Sequence, residues 1–173
     1  MQRLVRHPDA PPGAIQAVEG ELVRTPLGAT ATFRAIGDVS RLVIPPPASP
    51  ARADDLWQTS CFELFVGGEG SSYREFNFSP SGAWAAYRFD DYRDGMAEAE
   101  ARVSIETVRN ARWFELVARI DADFPRPVQV GLTAVIEETD GVIRYWSASF
   151  APGKADFHAA AVRSLLFDGV SAQ

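Results

Sequence analysis

The sequence predicts an all-β fold, a two-sheet antiparallel β-sandwich with one or two short helices. Short runs of aromatic and β-branched residues alternate with polar ones at a period of two. Turn residues such as Ser79-Pro80-Ser81-Gly82 and Asp140-Gly141 separate those runs. No long stripe of period 3.6 interrupts the pattern.

In chain order the expected strands are 21–25, 30–37, 41–44, 61–66, 73–78, 83–89, 102–109, 113–120, 128–138 and 144–150, with a further one at 164–167. So many short strands call for two packed layers. The N-terminal segment around His7 and Pro8 reads as a mobile surface segment. Residues 45–55, beginning Pro45-Pro46-Pro47, cannot pair in a ladder because prolines donate no N–H, so they form a long loop within one domain spanning 1–173. Gly67-Gly68-Glu69-Gly70 and Ser79–Gly82 then join three strands into a meander over 61–89. Helix is expected only over 92–101, which is acidic and alanine-rich, and as a turn at 159–163.

The composition excludes several classes of function. The 173 residues are 46% hydrophobic and 23% charged, an ordinary globular balance. A net charge of −6 argues against binding a phosphate backbone. The longest apolar run, 128–136, is far short of the ~20 residues of a membrane-spanning helix. The N-terminus shows no apolar signal region and Cys61 is the single cysteine, so a cytoplasmic location is expected, with neither nucleic acid nor membrane as partner. The oligomeric state is not legible.

The meander carries the chemistry. Side chains alternate faces along a strand, which places Phe62, Leu64, Phe76 and Phe78 in the core. Glu63, Tyr73, Glu75 and Asn77 gather on the other face, together with Trp84 and Arg88 under the simplest register. Rings beside carboxylates, an amide and a guanidinium suit a small saccharide, whose C–H faces lie on aromatic rings while its hydroxyls take planar polar partners. A solvated sheet face with a Glu75–Arg88 ion pair is the plain alternative. Trp57, at the end of the proline-rich loop, is either a ligand platform or a core cap.

The run Leu56-Trp57-Gln-Thr-Ser-Cys61-Phe62-Glu63-Leu-Phe65-Val66, followed by Tyr73-Arg-Glu75-Phe-Asn77-Phe-Ser79-Pro80-Ser-Gly82-Ala-Trp84, resembles the DOMON-like proteins related to family 9 carbohydrate-binding modules. The resemblance covers 56–92, with weaker echoes at Tyr145-Trp146 and Gly153–His158. It implies a β-sandwich of jelly-roll character that binds sugars or, in other branches, haem. In the sugar-binding branch two tryptophans clamp the ligand, and a glutamate six residues after the first bonds its hydroxyls; Trp57 and Glu63 have that spacing. Trp146 is the nearest candidate for the second ring, with Trp84 or Phe157 as substitutes.

The expected function is therefore non-catalytic sugar recognition through Trp57, Glu63, Tyr73, Glu75, Asn77, Trp84, Arg88 and Trp146. Two alternatives use overlapping residues. A b-type haem site would draw on Met96 with His158 or Lys154, although His158 reads first as a structural residue bonding a backbone carbonyl. A glycoside hydrolase would use Glu63 and Glu75, two carboxylates on neighbouring strands. No cofactor or metal is expected; calcium at Asp90, Asp91 and Asp94 is the metal alternative to a solvated turn balanced by Arg93. Cys61 reads as a small buried hydrophobe.

Overall fold

The computed structural model describes residues 1–168. It is all-β with almost no helix, as expected, but its strands form one continuous curled antiparallel sheet rather than two separate ones. In chain order they are β1 Gln2–Arg6, β2 Ile15–Thr25, β3 Gly28–Gly37, β4 Cys61–Gly67, β5 Tyr73–Phe78, β6 Trp84–Phe89, β7 Ala97–Glu98, β8 Arg102–Arg109, β9 Trp113–Asp121, β10 Val128–Glu137, β11 Ile143–Ser147 and β12 Leu165–Phe167. The path across the sheet is β7-β6-β5-β4-β10-β11-β1-β2-β3-β9-β8, with β12 attached to β10 off that path.

The joint is β1, which the sequence reading left unstructured. Its first residues pair with β2 (Gln2 with Gly20, Leu4 with Val18) and its last with β11 (Val5 with Ser147, Arg6 with Trp146). One short strand thus carries the hydrogen-bonded ladder round the bend. The curl brings the two halves of the sheet together over a core in which Phe33 lies 5.2 Å from Phe62 and Phe62 stacks on Phe114 at 6.1 Å. Phe62, Leu64, Phe76 and Phe78 are all fully buried there, as the alternation required. Cys61 is likewise buried.

Several expected elements differ. Residues 92–101 form no helix: Asp90–Asp94 close a turn, and Ala97–Glu98 add a strand to Tyr87–Arg88. Edge pairing outweighs alanine's helical preference there. Instead of a strand at 41–44 there is a 3₁₀ turn at Val39–Arg41 and a lone bridge from Leu42 to Glu138. The turn expected near 159–163 is present as a 3₁₀ segment at Ala160–Val162. His7 is 3% exposed rather than mobile, since its Nε2 lies 3.0 Å from the Gly153 carbonyl and its ring meets the Phe150 edge at 4.7 Å.

Candidate functional site

The second face of β4, β5, β6, β10 and β11 looks away from the core. Residues 148–163 cross it, and Cys61, Phe65, Tyr73, Phe89, Val135 and Phe157 pack between strap and sheet. Gly131 makes the close approach possible, because a Cβ at that position would stand 2.7 Å from the Val162 carbonyl oxygen. Where the strap stops short of covering the sheet, a cavity of about 650 Å³ opens.

Glu63 and Glu75 form its floor. Glu63 pairs across the ladder with Asn77 and Glu75 with Phe65, so the two carboxylates are diagonal neighbours on one face. Asn77 Nδ2 donates to Glu75 Oε1 at 3.0 Å, and His158 Nε2 stands 3.5 Å from Glu75 Oε2. Tyr73 Oη lies 2.7 Å from His158 Nδ1 and accepts from the Arg93 N–H at 3.1 Å. Thr133 Oγ1 donates to Glu63 Oε2 at 3.3 Å. These contacts are consistent with one proton placement, in which Tyr73 donates to Nδ1 and the Nε2 proton of the neutral His158 faces Glu75.

Burial sets the electrostatics. It pushes the Glu63 carboxyl well above its ordinary range, with the nearby Glu75 adding to the effect, and it raises Glu75 although the Asn77 bond opposes it. Burial also lowers the His158 pKa to about 4, assisted by Arg93, so the ring is neutral near pH 7. A neutral histidine and at least one reluctant carboxylate therefore share the floor.

The walls are rings. Trp57, on a 3₁₀ turn at Leu56–Gln58, is 53% exposed and borders the cavity, so it is not a core cap. The preceding Asp55 holds φ 59°, a left-handed conformation at the entry to that turn. Tyr87, Phe89, Tyr145 and Phe157 add four more rings to the lining. Tyr87 donates to Asp54 Oδ1, and both burial and that carboxylate raise its pKa.

The structure brings Trp57, Glu63 and Glu75 to the cavity and places Asn77 and Tyr73 on the same face as buried support. Three other candidates point elsewhere. Phe78 pairs with Trp84 and Arg74 with Arg88, which puts Trp84 in the core, 7% exposed, beneath the Arg52 guanidinium. Arg88 shares that face and lies 3.6 Å from Asp90, so it forms no pair with Glu75. Trp146 pairs with Ala134 and is 5% exposed in the core; its neighbour Tyr145 takes the cavity side. In each case the register of a short strand decided the face, and alternation alone could not fix it. Tyr87, Phe89 and Tyr145 are the rings the sequence reading missed, although each sits one position from a candidate it named.

His158 bonds no backbone carbonyl through its ring. Met96, 63% exposed, borders the same cavity, but both His158 nitrogens already face Tyr73 and Glu75, so iron ligation would displace one of them. Arg93 leaves the 90–94 turn and bonds Asp156 at 2.9 Å. Among the described residues no cluster of three or more His, Cys, Asp or Glu is arranged to hold a metal ion, and no helix is long and apolar enough to cross a membrane.

A second cavity, about 530 Å³, lies between the 25–30 turn and Arg102–Ser104. Its lining is mostly apolar around the exposed Leu27, and Arg119 at its wall is engaged by Glu106 at 2.7 Å. A hydroxyl-rich ligand finds no buried carboxylate there.

No family model and no curated protein matches the chain. Among solved structures, it superposes on a Bacteroides uniformis protein described as a "putative carbohydrate-binding protein", with a TM-score of 0.62 over 93% of this chain and 82% of that one, at 14% identity. At that identity the likeness establishes the fold alone.

Proposed function

We propose that this chain is a non-catalytic saccharide-recognition domain whose site is the cavity under Trp57. One observation carries the reading: a tryptophan ring 53% exposed at the border of an aromatic-lined cavity whose floor is two buried carboxylates. The ring supplies an apolar platform for one sugar face, Tyr87 and Tyr145 bound the opening, and the carboxylates accept hydroxyl hydrogen bonds. The structural neighbour and the resemblance to family 9 modules, in which a tryptophan precedes a ligand-bonding glutamate by six residues, support it. Glu75 accepts from Asn77 through Oε1, while Oε2, with His158 Nε2 3.5 Å away, keeps acceptor capacity for a ligand hydroxyl.

The test is a tryptophan-fluorescence titration against a panel of mono- and disaccharides. The expected outcome is quenching with a Kd between about 1 μM and 1 mM, about −8 to −4 kcal/mol, and loss of most of that affinity in Trp57→Ala. A wild-type protein that binds no member of the panel, paired with a Trp57→Ala variant that is strongly destabilised, would refute the reading.

A further inference from the structure

The cavity's charges and hydrogen-bonding groups are unbalanced in the same direction, and this bears on which sugar it takes. The inference rests on the saccharide reading above. Five acidic side chains line it, Asp54, Asp55, Glu63, Glu75 and Asp156, against one guanidinium, Arg93. Asp156 is already answered: Arg93 donates to Oδ1 at 2.9 Å, Tyr92 donates to Oδ2 at 2.6 Å, and the His158 N–H donates to Oδ1 at 3.0 Å. Arg163 is turned onto the Tyr73 ring, 4.5 Å from its centroid, and its Nη1 donates to the His158 carbonyl at 3.4 Å. Asp54, Asp55, Glu63 and Glu75 therefore share the cavity with no guanidinium or ammonium in ion-pair contact among its described lining, and Arg93 acts on Glu75 only from a distance.

The hydrogen-bond count agrees with the charge count. Glu63 accepts from Thr133 alone, and Asn77 Oδ1, buried on the same face and directly across the ladder from Glu63, has no partner. Acceptors outnumber donors at the floor, and an anionic ligand would add more acceptors and more negative charge. A primary ammonium brings three donors, no acceptor and the compensating charge. Low-dielectric walls sharpen the preference, because a cleft lined by one sign of charge focuses its field on the occupant.

We propose that the site selects an amino sugar, a hydroxylated ring bearing a free ammonium group, over neutral sugars and against uronic acids. The ammonium sits at the Glu63–Glu75 floor while the sugar face lies on Trp57. Burial raises the pKa of both carboxyls and a cation beside them lowers it again, so any proton that either carboxyl holds passes to buffer when the ammonium binds.

Isothermal titration calorimetry with glucosamine, glucose, N-acetylglucosamine and glucuronic acid tests this, at about pH 6 where the amine is charged. The expected result is glucosamine at least about tenfold tighter than glucose, no binding of glucuronic acid, and a preference that shrinks as salt is added. Repeating the titrations in two buffers of different ionisation enthalpy should show proton release with glucosamine and none with glucose. Glu75→Gln should erase the preference; the salt series and the buffer comparison, made on wild type, stand without it. Glucose binding as tightly as glucosamine overturns the inference and leaves the saccharide reading intact. No sugar of any charge binding overturns both. Choline binding as tightly as glucosamine shows that a cation without a sugar ring suffices, and overturns the amino-sugar assignment.

Discussion

Replacing His158 with Gln should change the pH dependence of stability in a direction and amount that follow from the ring's surroundings. The side chain is 16% exposed, faces Phe65, Tyr73 and Phe89 at centroid distances of 5.2–5.8 Å, and has Glu75 as its nearest carboxylate. Burial, with Arg93 adding to it, drives its pKa from 6.5 to about 4. The folded pKa is depressed, so between those two values the unfolded chain binds more protons than the folded one. The contribution is complete above pH 6.5 and is lost as pH falls toward about 4. At 1.36 kcal/mol per pH unit the loss has a ceiling of about 3 kcal/mol, and partial solvent screening brings the working figure to about 2 kcal/mol. Urea denaturation of both proteins at steps from about pH 7.5 to about pH 4 measures it, and subtraction removes most titrations elsewhere in the chain. Glu75 and Glu63 act in the opposite sense, since their raised folded pKa values lose stability as pH rises through them, and they remain in both proteins. Parallel stability curves for wild type and His158→Gln over this range would show that the histidine is not held neutral by burial.

Phe76→Ala removes a fully buried ring that stacks on Phe78 and Phe124, and should cost about 3–5 kcal/mol in chemical denaturation; a loss under about 1 kcal/mol would mean that β5 presents its other face to the core. Gly131→Ala places a methyl 2.7 Å from the Val162 carbonyl, so either the backbone of the strap or β10 must shift, at about 1–3 kcal/mol. Hydrogen exchange should rise over 156–163 while the amides of β9, in the far half of the sheet, stay protected; uniform deprotection would show that strap and sheet unfold as one unit.

What was legible in the sequence was alternation within the meander. Phe62, Leu64, Phe76 and Phe78 against Glu63, Glu75 and Asn77 is a pattern of period two, and the structure obeys it. The faces of Trp84, Arg88 and Trp146 were not legible, because each strand offers a large or charged residue on both sides: Trp84 and Arg88 against Tyr87, and Trp146 against Tyr145. Only the ladder, Phe78 with Trp84 and Ala134 with Trp146, settles the choice. β1 escaped notice for a related reason. Five residues with two exposed at the start carry almost no periodicity, and their strand character comes from edges supplied by β2 and β11. His7 and His158 were misread because their partners, Gly153, Tyr73 and Glu75, lie more than 80 residues away in sequence.

The same separation explains why the site lies where it does. A curled sheet has a core on one face and must otherwise leave the outer face to water. Over the half of the sheet that holds β4, β5 and β10, the outer face carries Phe65, Tyr73 and Val135, which need cover, beside Glu63 and Glu75, which ordinarily need solvent. The strap satisfies the first group with Phe157 and Val162 and meets the second only in part, through His158. A complete cover would bury two adjacent carboxylates without enough donors, at a cost that a neutral histidine and one asparagine do not offset. Glu63 and Glu75 are already buried, so the cavity left open above them leaves that cost in place, and a donor-rich ligand is the kind of occupant that completes the hydrogen bonding the fold leaves unmade.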